Sequence, residues 1–213
     1  SYGDYVRAGA ILSKAVIVKL GNDLKKFVQE ERPVLGICNG FQILVEAGLL
    51  PGFDGLSELP QAALATNVPI GYRCMWIHLK HEGKGKCVFT SKIGAASVVR
   101  IPVAHGEGRF MFDKSKQREH LVKLSEEDQL VFRYCTREGD AAEGRFPMNP
   151  NGSFHDIAGI CDSSGTIFGL MPHPERAYFR WQQPDWTTRE RLGKYGDGRL
   201  IFESVVEYLT RKF

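Results

Sequence analysis

Residues Val34 to Gln42 read VLGICNGFQ. The apolar run from Val34 to Cys38 reads as a short buried strand. From Gly40 to Ala47 the pattern changes to a helical period, stopped by Gly48 and Pro51. Between them lies a cysteine flanked by Gly36 and Gly40. Upstream, Asn22 to Glu31 (NDLKKFVQEE) places Leu24, Phe27 and Val28 at helical spacing and ends before Pro33. Helix, strand, tight turn and helix in this order predict an α/β domain in which helices cover a parallel sheet.

Working outward, the middle of the chain predicts short strands at Ile77 to Leu79, Cys87 to Thr90, Val98 to Val103 and Leu130 to Tyr134, separated by glycine-rich loops. His155 to Met171 reads as a hairpin, with IAGIC and TIFGLM joined by a DSSG turn. Arg199 to Leu209 is a strongly amphipathic helix, and Arg180 to Gly198, rich in Trp, Pro, Gly and charge, reads as an irregular surface segment. The basic stretch Lys80 to Lys86 reads as an exposed loop. The opening SYGDYVRAGA lacks the apolar strand with which an α/β domain ordinarily starts. The expectation is therefore a single domain over residues 1–213 that is missing an N-terminal piece of about one βαβ unit.

At 213 residues the chain is long enough for one domain with a proper core. A net charge of +3 gives no argument for nucleic acid, and no apolar run approaches the roughly 20 residues that span a bilayer. The five cysteines, Cys38, Cys74, Cys87, Cys135 and Cys161, form no C-x-x-C pair; an odd, scattered set predicts reduced thiols and a cytoplasmic protein. Four of them fall in strand-like runs and read as inert core fillers, which leaves Cys38 as the one at a glycine-flanked turn.

A thiol attacks as thiolate, and its ordinary pKa is about 8.5. A sulfur held at a helix N-terminus meets exposed N–H groups and the positive end of the helix dipole, both of which favour the anion. The strand–turn–helix pattern matches a nucleophile elbow with cysteine in place of serine, and puts the amide of Asn39 where an oxyanion donor belongs. The second informative stretch is Met171 to Arg176, MPHPER. His173 can serve as base to the thiol, and Glu175, two residues on and on the same side of an extended segment, can orient the imidazole. The bland alternatives are a buried cysteine ending a strand and a proline-stiffened turn with a surface histidine. Of the other histidines, His105 lies in a glycine-rich loop that could line a pocket; His78, His81 and His120 read as solvated. No H-x-x-x-H or H-E-x-x-H spacing supports a metal site.

Gly36-Ile37-Cys38-Asn39-Gly40-Phe41-Gln42 resembles the G-x-C-x-G-x-Q signature of class I (triad) glutamine amidotransferases, and His173-Pro174-Glu175 resembles their H-P-E motif. SYGDYVRAGA, PVLGICNGFQIL, AHGEGRF, NPNGS, IAGIC and GLMPHPERA together resemble, more narrowly, the glutaminase subunits of phosphoribosylformylglycinamidine synthases of de novo purine synthesis. The resemblance implies a flavodoxin-like α/β fold with a central, mostly parallel sheet flanked by helices and additional antiparallel strands. It implies glutamine hydrolysis through a thioester on Cys38, with His173 as base and Glu175 as its partner. Gln42 would contact glutamine, and His105, Gly106 and Glu107 match the loop whose backbone holds the glutamine α-groups. Gly36, Asn39 and Gly40 would shape the oxyanion turn. The implied partners are a separate synthetase subunit, which would hold ATP and magnesium, and a small accessory subunit; no cofactor is implied in this chain, and neither nucleic acid nor membrane as partner. In the family a glycine-rich strand end before SYGDY supplies the second oxyanion donor, and the sequence as given has no such segment. Two other readings stay open: a stand-alone cysteine hydrolase of the same fold, and a structural subunit with a dead site.

Overall fold

The structure, a computed structural model, describes residues 9–57, 59–187 and 193–213. The SYGDY motif and part of the Arg180 to Gly198 segment lie outside the described residues. Four helices, α1 (Ala10–Gln29), α2 (Asn39–Glu46), α3 (Gln117–Glu126) and α4 (Arg199–Lys212), accompany eight strands among the described residues. The strands are β1 (Val34–Ile37), β2 (Ala63–Thr66), β3 (Arg73–His81), β4 (Val98–His105), β5 (Glu107–Met111), β6 (Leu130–Cys135), β7 (Ile157–Cys161) and β8 (Ile167–Leu170). Six of them form one sheet in the order β1-β8-β7-β6-β3-β4, and β2 pairs with β5 in a small second sheet.

The α/β class predicted from the sequence is correct, but the sheet is mixed rather than mostly parallel. Among the described residues only β1 and β8 run parallel; β8–β7, β7–β6, β6–β3 and β3–β4 are antiparallel. The hairpin was legible because β7 and β8 are joined by the short Asp162–Gly165 turn, closed by the Gly165 N–H on the Asp162 carbonyl at 3.1 Å. The middle was harder. Cys87 to Thr90 is a buried turn rather than a strand, with the Thr90 N–H donated to Cys87 O at 3.1 Å, whereas β2, β5 and α3 carry patterns too short or too polar to stand out. The first helix begins at Ala10, well before its most regular stretch.

Three further expectations are corrected. Lys80 and His81 end β3, and the exposed loop starts after them; His81 is 3% exposed, with its ring 5.5 Å from that of Phe132. His120 packs between Phe53 and Phe112, 5.0 Å from each ring. Cys74, though in a strand, is exposed, because one face of β3 turns to solvent there. The described part of the Arg180 to Gly198 segment is largely irregular as read, but it is tied down: Arg180 and Gln183 are buried, and Asp185 pairs with Arg100 at 2.9 Å.

Apolar side chains fill both faces of the large sheet. One cluster gathers Ile77, Val99, Val131, Phe168 and Leu170 with Ile201 of α4. The other gathers Phe41, Leu44 and Val45 of α2 and Leu124 of α3 with Ile157, Ile160 and Ile167. Helix α2 lies very close to the sheet, and two cross-strand partners, Gly36 and Gly169, make that possible. A Cβ on Gly169 would stand 2.1 Å from the Phe41 ring, and one on Gly36 would stand 2.5 Å from Leu44 and 2.8 Å from the Gly40 backbone. Gly40 itself has nothing within 4 Å of the position a Cβ would take, so close packing does not require glycine there.

This contrast predicts opposite outcomes for two similar substitutions. Gly169→Ala overpacks the core and is expected to lower stability by about 1–3 kcal/mol or more. Gly40→Ala should leave stability unchanged or slightly higher, since alanine is the better helix former. Urea denaturation midpoints would test both.

Candidate active site

Because β1 and β8 are parallel, their carboxyl ends lie side by side, the place where α/β sheets present ligand sites. The Cys38 N–H extends the ladder by one bond to Leu170 O at 2.9 Å, and the chain then turns into α2. Cys38 is the N-cap of α2 with φ 52° and ψ −107°, a left-handed backbone that a non-glycine residue adopts at a cost of about 1–3 kcal/mol. The strain lifts the sulfur out of the strand at the first turn of α2, as the elbow reading requires. Asn39, Gly40 and Gln42 lie on α2 immediately after it, with Asn39 and Gln42 buried. The open space over Gly40 lies at this turn.

On the neighbouring strand the chain leaves β8 through Met171 and Pro172 to His173, which is 8% exposed. The segment is not extended, as the sequence reading had it. Pro174–Ala177 forms a 3-10 turn, and that turn brings the Glu175 carboxylate to His173 Nδ1 at 2.6 Å. Arg176 Nε stands 3.5 Å from the same carboxylate oxygen. His173 Nε2 is buried and has no conventional hydrogen-bond partner among the described residues. Burial alone would lower the imidazole pKa, but the neighbouring Cys38 sulfur and Glu175 carboxylate outweigh it and raise it to about 9. Burial likewise opposes ionisation of Glu175, yet the bond and charge of His173 hold its pKa below the ordinary value.

The sheet curls until its far edge reaches this pair. The outer edge of β4 presents carbonyls where a further strand would otherwise bind. Pro102 O accepts the His173 N–H at 2.8 Å, and Ala104 O faces the Cys38 thiol at 3.8 Å. The Cys38 sulfur therefore faces both a backbone carbonyl and the His173 imidazole.

His105, the last residue of β4, is buried with neither ring nitrogen bonded among the described residues. Burial, then the charges of His173 and Arg73, lower its pKa to about 4, so it is neutral when His173 is charged. Gly106 and Glu107 follow, crossing the start of α2. Gln42, expected to touch glutamine, donates its side-chain amide to the Glu107 carbonyl and so ties α2 to this loop. The sequence reading missed the edge carbonyls, Asn67 and Tyr134. Nothing in the local sequence marks them, because pairing across the sheet brings them to the site. No group of three or more His, Cys, Asp or Glu is placed to hold a metal among the described residues.

A half-buried thiol, a buried imidazole and a carboxylate open to solvent, in series, can carry out acyl transfer through a covalent intermediate. Comparison with known proteins agrees with that chemistry. Residues 1–209 match the model of the CobB/CobQ-like glutamine amidotransferase domain. The phosphoribosylformylglycinamidine synthase subunit PurQ of Archaeoglobus fulgidus is 50% identical over 214 residues, covering 99% of this chain and 75% of the relative. The subunit of the same name from Methanothrix thermoacetophila is 42% identical over 221 residues, covering 100% and 79%. Among solved structures, that of PurLQS from Thermotoga maritima superimposes with a TM-score of 0.67 at 33% identity, covering 98% of this chain and 76% of that one. The chain belongs to the CobB/CobQ-like glutamine amidotransferase family.

Proposed function

We propose that this chain is the glutaminase subunit of a phosphoribosylformylglycinamidine synthase. It hydrolyses glutamine to glutamate and ammonia and passes the ammonia to a synthetase subunit. That partner, with ATP and magnesium bound to it and a small accessory subunit beside it, converts formylglycinamide ribonucleotide to the amidine. The observation that carries the reading is the Cys38–His173–Glu175 series at the carboxyl ends of β1 and β8, in a chain half identical to a PurQ subunit. Free thiols at Cys38, Cys74, Cys87, Cys135 and Cys161 support a reducing, cytoplasmic setting.

In the first half-reaction the Cys38 thiolate attacks the γ-carboxamide carbon of glutamine. The carbonyl oxygen becomes an oxyanion near the N-terminus of α2, where Asn39 begins the helix and its dipole favours negative charge. The His173 imidazolium gives its Nε2 proton to the leaving nitrogen, the C–N bond breaks, and ammonia departs from a glutamyl thioester. In the second half His173 takes a proton from water as the water attacks the thioester carbon. The C–S bond breaks, glutamate leaves, and the sulfur recovers its charge. Glu175 holds Nδ1 throughout, which keeps Nε2 directed at the chemistry.

A glutamine-analogue electrophile should add one adduct to the chain, seen as a shift in intact mass, and Cys38→Ala should abolish both the adduct and ammonia release. An adduct that persists in Cys38→Ala would overturn the assignment. Ammonia release should rise when the synthetase partner is added; equal turnover with and without it would favour a stand-alone hydrolase.

The pH dependence follows from the direction of the His173 shift. Its folded pKa of about 9 lies above the ordinary 6.5, so the ion pair stabilises fully below 6.5 and is lost as pH rises through 9. Activity should therefore fall on the basic side near pH 9. Glu175→Gln removes one of the two interactions that raise the pKa, so this limb should move to lower pH. The turnover number kcat should also drop by on the order of a hundredfold, the lower end of what general acid–base catalysis contributes. A pH–rate profile identical to that of the unaltered chain would show that Glu175 does not orient His173.

A further inference from the structure

The loop from His105 to Gly108 crosses the first turn of α2 beside Cys38, and its four carbonyls all point into the protein. His105 O accepts from the Asn67 side-chain amide at 2.9 Å, and Gly106 O accepts from the Asn67 backbone N–H at 3.0 Å. Glu107 O accepts from Gln42, and Gly108 O accepts from the Asn151 side-chain amide at 2.8 Å and from the Ser153 hydroxyl at 3.3 Å. Asn67 reaches the loop a third time, its Oδ1 accepting the Gly108 N–H at 3.0 Å. Asn67 and Asn151 are both fully buried. The amide of Asn151 is fixed in turn by the phenol of Tyr134, an acceptor at 3.1 Å on the central strand β6. Burial holds that phenol well above its ordinary pKa, so it stays neutral.

Locking the carbonyls inward determines what the loop offers a ligand. In a trans peptide the C=O and the following N–H point in opposite directions. With His105 O aimed at Asn67, the Gly106 N–H is aimed away from it. In an extended strand that is the side of the Ala104 carbonyl, which faces the Cys38 sulfur. An N–H turned to this side, with the neighbouring carbonyls hidden, suits an anion, and an N–H bond to a carboxylate is stronger than one to a neutral acceptor.

We propose that Asn67 is a positioning residue for substrate recognition: its amide pins both ends of the His105–Gly108 loop with the carbonyls inward, so that the loop receives the α-carboxylate of glutamine on the Gly106 N–H. The proposal rests on the glutaminase reading above. It separates binding from chemistry, because Asn67 touches neither the thiol nor the imidazole.

The test is Asn67→Asp, which keeps the shape and the acceptor for Gly108 N–H but places a carboxylate oxygen against the His105 and Gly71 carbonyls that now receive N–H bonds. Kinetics are measured with partner present on glutamine and on glutamine α-amide, which lacks the α-carboxylate. The expected result is a KM for glutamine raised about tenfold or more, the scale of one lost bond to a charged group. The kcat should stay within about threefold, and KM for the α-amide should change little. A loss of kcat shared equally by both substrates, or no change in either, would overturn the proposal. Tyr134→Phe, which loosens Asn151 without adding charge, should give the same split on a smaller scale. It serves as the deciding variant if Asn67→Asp does not fold, and a uniform effect there overturns the proposal equally. Absence of Cys38-dependent hydrolysis in the unaltered complex would instead bring down the glutaminase reading and this inference together.

Discussion

The parallel pairing of β1 with β8 is the constraint on which the site depends. Among the described residues it is the one parallel strand pair in an otherwise antiparallel sheet, and it aligns the exits of two strands that are far apart in sequence. One exit delivers Cys38, the other His173. Two glycines, Gly36 and Gly169, face each other across the pairing and let α2 settle onto the sheet. With a side chain at either position, α2 would stand off from the sheet and carry the sulfur away from the imidazole.

The opposite edge of the sheet completes the arrangement. An open strand edge ordinarily invites pairing with another chain. Here the outer edge of β4 is used: one carbonyl anchors the backbone of His173, and the other meets the thiol. The same strand then runs into the loop that Asn67, Gln42 and Asn151 hold carbonyl-inward. Cys38, His173 and this loop thus share one frame of hydrogen bonds. The electrostatics are consistent with it, since the two buried histidines are shifted in opposite directions: Cys38 and Glu175 raise the pKa of His173, while burial lowers that of His105 beside it.

Much of this was legible in the chain. The glycine-flanked cysteine between a strand and a helix, the HPE tripeptide and the hairpin around DSSG were each readable, because each is specified by neighbours within a few residues. The errors have the same root. Cys87 to Thr90 has strand-like composition but closes as a turn, and β2, β5 and α3 form from segments with weak local preference. His81 and His120 sit in charged stretches, yet tertiary packing buries one and sandwiches the other between phenylalanines. The His173–Glu175 contact was expected from an extended segment and arises from a 3-10 turn, so the pair was right and its geometry was not.

By itself the sequence determined the kind of chemistry: a thiol at a helix start, an imidazole with a carboxylate beside it, and strands and helices in α/β order. These are local properties, set by residue type, by glycine's small size and by periodicity. Only the tertiary structure decided that sulfur and imidazole meet, that the sheet is mixed, and that buried amides at Asn67 and Asn151 hold the carbonyls of the loop after β4 inward. Those outcomes depend on hydrogen bonds and packing between residues distant in the chain, which a pattern of neighbours does not encode.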